Sequence, residues 1–227
     1  MTTFEAILAI VAIFFPLVTI FLAMIPLGKK FAKDLQKVEI NTSIKLKQNI
    51  TINFLFNIID RIFAFFCLVC LSPILFVVYI TLLIIYKGNP IRKIAYIGKN
   101  QQNIQIFRFN IKSEFKNHFF VKFVSNSSLD YIPFLLNIIK GDMGIFGISS
   151  FKSEHFKALT DTQKTDYLEM LSIKKTGYCS LWQIIGVFDN YSPNIQMKYD
   201  HYFIQNDSFL FRLKMTVIVL SATSIRR

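Results

Sequence analysis

One stretch limits what this chain can become. Residues Ile52 to Tyr86 are almost continuously apolar. As a straight helix they would reach about 50 Å, against a bilayer hydrocarbon core of about 30 Å. The run is therefore too long for one ordinary span. Ser72-Pro73 stands near its middle, where a proline removes a helix hydrogen bond and kinks the chain. Basic residues flank both ends: Lys45 and Lys47 before, Lys87, Arg92 and Lys93 after. Positive charge on both sides favours a segment that enters and leaves by the cytoplasmic face. Re-entrant backbone is tolerated where its freed polar groups are satisfied locally. One long, tilted, kinked crossing is the alternative. Cys67 and Cys70 lie within the run, with no His or further Cys near enough to complete a zinc set. They read as small packing residues, and with Cys179 isolated nothing argues for a disulfide framework.

A first apolar run, Phe4 to Leu27, is long enough to span a membrane. Lys29, Lys30 and Lys33 follow it, which puts the N-terminus outside and the lysines in the cytoplasm. No basic residue precedes the run and no small-x-small site closes it, so a cleaved signal peptide is the weaker reading. The expected organisation is a transmembrane helix over 1–28, a polar linker over 29–51, a re-entrant membrane helix over 52–87 and a cytoplasmic domain over 88–227. A net charge of +12 would suit nucleic acid. In a chain that is 53% hydrophobic, the anionic face of a membrane is the better partner, and no nucleic acid is expected.

Within 88–227, Gly88-Asn89-Pro90 marks a turn, and Ile91 to Ile111 alternates in two short β-prone pieces. Asp130 to Lys140 reads as an amphipathic helix, with Ser127 and Ser128 as N-cap candidates and Gly141 as the left-handed cap. Phe151 to Ile173 reads as two short surface helices, with Ser153, Thr160 and Asp161 as candidate caps. Phe209 to Arg227 carries apolar residues between basic ends. It reads as an interfacial helix, or else as a plain core helix. The fold class is an α+β membrane protein: a mostly helical cytoplasmic domain with short strands and interfacial helices, joined to a broken re-entrant helix bent at Ser72-Pro73.

The segment Ser128 to Gly147, SLDYIPFLLNIIKGDMGIFG, resembles the signature of the bacterial sugar transferases, the monotopic polyprenyl-phosphate phosphoglycosyltransferases. Their pattern is roughly T-S-L-D-E-L-P-Q-L-x-N-V-L-K-G-D-M-S-x-x-G-P-R-P. Ser128, Leu129, Asp130, Pro133, Leu135, Asn137, Lys140, Gly141, Asp142, Met143 and Gly147 fall in register without a gap. Further along, Gly98 and then Ile104, Phe107, Arg108 and Phe109 fit two more pieces. Lys175, Gly177, Leu181, Gln183 and Gly186 fit a third. Asp200, Asn206 and Ser208 fit a fourth, with its tyrosine one step closer, at Tyr202. The resemblance implies the broken membrane helix with Ser-Pro at its bend. It also implies transfer of a sugar phosphate from a nucleotide diphosphate sugar to polyprenyl phosphate, by attack of the carboxylate at Asp130 with Mg²⁺ present.

The departures from the pattern cluster on that chemistry. The Glu after the nucleophile is Tyr131, and tyrosine cannot hold a metal in its place at neutral pH. Pro-Arg-Pro is Ile148, Ser149 and Ser150. The arginine before Gly98 is Tyr96, the second basic residue of K-F-R is Asn110, the arginine after Gly186 is Val187, and a final Asp is Arg212. The remaining phosphate-binding candidates are Arg108, Lys140, Lys174 and Lys175, with Asp142 and Gln183 as further family-site positions. Lysine binds phosphate as a point charge, without the bidentate fork of arginine. The leading reading is a non-catalytic member, a pseudoenzyme acting as partner or scaffold beside another membrane protein or an active transferase, in glycan or exopolysaccharide biosynthesis at the bacterial inner membrane. No cofactor is expected there. The alternative is an active transferase of sugar-1-phosphate from a UDP-sugar to undecaprenyl phosphate, with Mg²⁺ on Asp130. A third, more distant reading is a membrane structural protein.

Overall fold

The structure is a computed structural model, which describes residues 25–38, 50–98, 102–185 and 192–222. The chain divides into two compact units: Lys45–Ser180, and Met1–Ile44 together with Leu181–Arg227. Apart from residues 25–28, the first apolar segment lies outside the described residues, as do residues 39–49 of the linker and the end of the C-terminal tail.

The largest element is α1, Ile50–Tyr86. Phe56, Asp60, Ala64, Val78, Leu82 and Tyr86 are buried along it, and Asn53, Cys67, Leu71 and Leu75 are half-buried between them. Steps of three and four residues place all of these on one stripe. Much of the remaining circumference is apolar and exposed, including Phe54, Ile58, Ile62, Phe63, Phe66, Phe76 and Ile84. Only 11% of its most apolar 18 residues are buried, unlike a core helix, which is mostly buried. Among the described residues it is the one helix long and apolar enough to cross a membrane.

The helix is not interrupted at Ser72-Pro73, contrary to the break expected there. Pro73 has no N–H to give to the Val69 carbonyl four residues back. The Ser72 hydroxyl donates to that same carbonyl at 2.7 Å and replaces the missing bond. The serine satisfies in place the group that the proline orphans, which matters most where no water can do so.

After a turn at Gly88, where the Asn89 side chain accepts the Ile91 N–H, β1 (Ile91–Ile97) and β2 (Asn103–Phe109) form an antiparallel hairpin. Its register sets Arg92 opposite Arg108 and Tyr96 opposite Ile104. α2 (Phe119–Asn126) follows. Its Val121 and Val124 pack with Val78, Leu82, Tyr86 and Phe109 in one apolar cluster. A 3₁₀ helix, Leu129–Phe134, leads into α3 (Leu135–Lys140). A second cluster joins Phe134, Ile138 and Met143 to Ala64 of α1 and Ile106 of β2.

Strand β3 (Gly144–Gly147) then pairs in parallel with β4 (Gly177–Ser180). Between them run α4 (Ser153–Lys157) and α5 (Asp161–Ile173). Thr160 and Gln163 form the capping box of α5. Ser153 is no cap, because its hydroxyl donates to the Asn103 side chain at 2.9 Å. Nor is α5 merely a surface helix: Tyr167, Met170 and Leu171 are buried. Gly147 and Gly177 face each other so closely that a Cβ on either would collide with the other's backbone nitrogen. In the other unit, α6 (Leu181–Ile185), α7 (Pro193–Asn206) and α8 (Phe209–Ala222) join a helical segment over residues 25–36. Gln36 Nε2 donates to the Ile185 carbonyl at 2.8 Å, and the Lys214 ammonium lies 5.6 Å from the Phe31 ring centroid.

A two-stranded hairpin leaves polar edges that need partners. Fully buried Asn137 serves the free edge of β2: its Nδ2 donates to the Gln105 carbonyl at 2.8 Å, and its Oδ1 accepts the Phe107 N–H at 3.2 Å. Replacing Asn137 with Leu strands both backbone groups, at about 1–3 kcal/mol each. Thermal unfolding of the detergent-solubilised N137L variant is expected to begin well below the wild type. An unchanged midpoint would mean that water or another side chain serves this edge.

Candidate functional site

The site segment begins with a departure from expectation. Ser127 and Ser128 do not cap the helix that follows. The Ser127 hydroxyl donates to the Phe123 carbonyl at 2.7 Å and so closes α2. Ser128 sits in the left-handed region at φ 57° and makes no side-chain cap bond. The chain turns sharply there and restarts as the 3₁₀ helix, with Asp130 in its first turn. Pro133 has no N–H to close an α-helical bond back to Leu129, and the regular α-helix begins only at Leu135. Gly141 ends it at φ 85°, as expected of a left-handed cap.

Asp130 is 1% exposed. Two N–H groups of Arg108, Nε at 2.7 Å and Nη2 at 2.5 Å, converge on its Oδ2. Its Oδ1 is also buried and has no hydrogen-bond partner among the described residues. The Arg108 guanidinium carbon lies 3.7 Å from the centroid of the Tyr131 ring. The cation is thus held by two consecutive residues, one through charge and hydrogen bonds and the other through its ring face. Tyr96 belongs to the same group. Burial pushes its phenol up, the Tyr131 phenol adds to this, and Arg108 and Arg92 pull it back down.

The other expected site residues gather at the turn that follows, or elsewhere. Lys140 is exposed, with its ammonium 4.6 Å from the Phe107 ring centroid, and alternation along β2 puts Phe107 on the opposite face from Arg108. Exposed Asp142 has a long contact of 3.5 Å with Asn137 Nδ2. Lys175 Nζ donates to the Gly141 carbonyl at 2.6 Å. Buried Lys174 donates to Asn53 Oδ1, with its ammonium 5.7 Å from the Phe56 ring centroid. Gln183 is exposed on α6, in the other unit. The structure therefore brings Arg108 to Asp130, while Lys140, Asp142 and Lys175 each engage a different neighbour.

Sequence reasoning missed the support for this region. Asp60 Oδ2 accepts the Ile145 N–H at 3.1 Å. The Arg61 guanidinium packs where a side chain on Gly141 would stand. A signal did exist for Asn137, a lone amide amid the apolar residues of a helix, which needs a buried partner.

These donors do not fit a divalent cation. One oxygen of Asp130 already carries a guanidinium, and among the described residues no three of His, Cys, Asp and Glu stand close enough to share an ion.

A family profile described as bacterial sugar transferase matches residues 52–225. Among curated proteins, the undecaprenyl-phosphate galactose phosphotransferase of Salmonella typhimurium is 31% identical over 86 residues, covering 37% of this chain and 17% of that protein. The match is thus to a small part of the relative's length.

The ion pair is testable by itself. Arg108 is 30% exposed, but removing it leaves the buried Asp130 carboxylate unpaired, at about 1–3 kcal/mol. Arg108→Gln is expected to destabilise the fold by that order, and adding Asp130→Asn is expected to recover part of the loss. Strictly additive effects in the double-mutant cycle would mean that the two side chains do not interact in solution.

Proposed function

The chain belongs to the bacterial sugar transferase family, and on that premise we propose that it is a non-catalytic membrane member acting as partner or scaffold beside an active transferase in bacterial glycan assembly. One observation carries the reading: the residue at the nucleophile position is buried and bonded to Arg108 through Oδ2. Attack on a diphosphate needs a free, oriented carboxylate and cations that neutralise the leaving nucleotide. Here the cation nearest the carboxylate neutralises the carboxylate itself. Arginines of the family pattern are absent at Tyr96, Asn110, Ser149 and Val187, and Lys175 is engaged by the Gly141 carbonyl. The galactose phosphotransferase to which the chain is similar is named for undecaprenyl phosphate, and polyprenyl phosphate is the lipid ligand we assign to this scaffold.

The second reading, active transfer of sugar-1-phosphate from a UDP-sugar to undecaprenyl phosphate, is favoured by the retention of Asp130 in its helical first turn. Release of nucleoside monophosphate from a panel of UDP-sugars, with polyprenyl phosphate and Mg²⁺, decides between them. The wild type is expected to be silent, and Tyr131→Glu alone is expected to stay silent because the diphosphate clamp is still missing. Each such contact is typically worth about a hundredfold or more in rate. Robust release that vanishes in Asp130→Asn would establish the active reading instead.

For topology, we place the domain in the cytoplasm and α1 in the inner membrane, entering and leaving by the same face through a bend of the continuous helix at Pro73. The support is the stripe. Near its start, Asp60 bonds Ile145 and Asn53 bonds the Ile173 carbonyl, and near its end Val78, Leu82 and Tyr86 pack on Phe109, Val121 and Val124 of the same unit. A full crossing would carry one end to the far leaflet. Single cysteines at Gln48 and Gly88, in a background without native cysteines, are expected to be labelled only from the cytoplasmic side. Labelling from opposite sides would establish a crossing.

A further inference from the structure

We propose that Arg108 stands in for the divalent cation that the family implies, so that the Asp130 site carries its own fixed positive charge and takes up no Mg²⁺. The inference rests on the family assignment but not on the loss of catalysis, since a site without a metal can be active or silent.

The argument begins with Tyr131. A glutamate there would set a second carboxylate beside Asp130 and draw a dication between them. Tyrosine removes that ligand and also supplies something new: a ring face, whose quadrupole attracts a cation. The Arg108 guanidinium lies on that face, 3.7 Å from the centroid, while its Nε and Nη2 hold Asp130 Oδ2. A flat, weakly hydrated guanidinium suits stacking and forked hydrogen bonding at once, which an ammonium does not. One substitution therefore both deletes a metal ligand and builds a seat for an arginine. What remains for Mg²⁺ is Asp130 Oδ1, buried and without a partner among the described residues. An ion on that oxygen would sit beside a guanidinium of like charge. Magnesium also demands near-octahedral oxygen coordination, and the described residues bring no third acidic, His or Cys side chain to the site.

The test measures binding rather than turnover. The full chain in mild detergent is titrated with Mn²⁺, and free Mn²⁺ is followed by electron paramagnetic resonance. Wild type and Asp130→Asn are expected to give the same curve, and Tyr131→Phe, which keeps the ring face, is expected to follow them. The double variant Arg108→Gln with Tyr131→Glu is expected to bind one Mn²⁺ at least tenfold more tightly than wild type. Stoichiometric binding by the wild type that Asp130→Asn abolishes would overturn the proposal. So would a folded double variant that binds no better than wild type. If the double variant does not fold, the comparison of wild type with Asp130→Asn still decides. Nucleoside monophosphate release by the wild type in excess EDTA would end the non-catalytic reading and leave this inference standing.

Discussion

The one-sided burial of α1 is the constraint on which the rest of its unit depends. Among the described residues neither sheet has more than two strands, and an isolated pair is marginal in water. Both apolar clusters close against the helix stripe, one at Val78, Leu82 and Tyr86, the other at Ala64. The domain borrows its core from the helix. The helix in turn leaves a face of Phe, Ile, Leu and Val exposed. Burying one such side chain is worth about 1.5–3 kcal/mol, so the face as a whole demands an apolar surrounding. A water-soluble version of this domain would have to cover that face or lose the scaffold that shapes the site.

The segment that matches the family signature separates into two kinds of residue once its contacts are known. Asn137 serves the edge of β2, Gly141 turns the chain at positive φ against Arg61, and Gly147 meets Gly177 where no side chain fits. These are requirements of folding. The matched pattern can persist through them whatever happens to the reaction. The departure within it is Tyr131, whose ring meets Arg108 and Phe134. A long ungapped match is therefore strong evidence for the scaffold and weak evidence for turnover.

What could be read from the chain follows the same division. The apolar run, the hairpin, the Thr160 cap and the Gly141 cap are local, and residue type and spacing suffice for them. The continuity of α1 through Pro73 was not legible, because it depends on the rotamer that turns the Ser72 hydroxyl to Val69. Ser127 was misassigned because two helices meet there and either could claim its hydroxyl. Tyr131 was legible only as a loss. Its gain, a ring beneath Arg108, needs the register of β2 against the 3₁₀ helix, and that is tertiary information.

The second unit has a different consequence. It is assembled from segments far apart in the chain: Gln36 bonds the carbonyl of Ile185, and Lys214 covers the ring of Phe31. Contacts of such sequence separation close late and slowly. During synthesis, residues 25–36 leave the ribosome long before Ile185 and Lys214, which they contact, have been made. They must wait while the whole of the other unit is made. The order of manufacture is thus the reverse of the order of completion, and the first described helix of this unit is among the last to find its place.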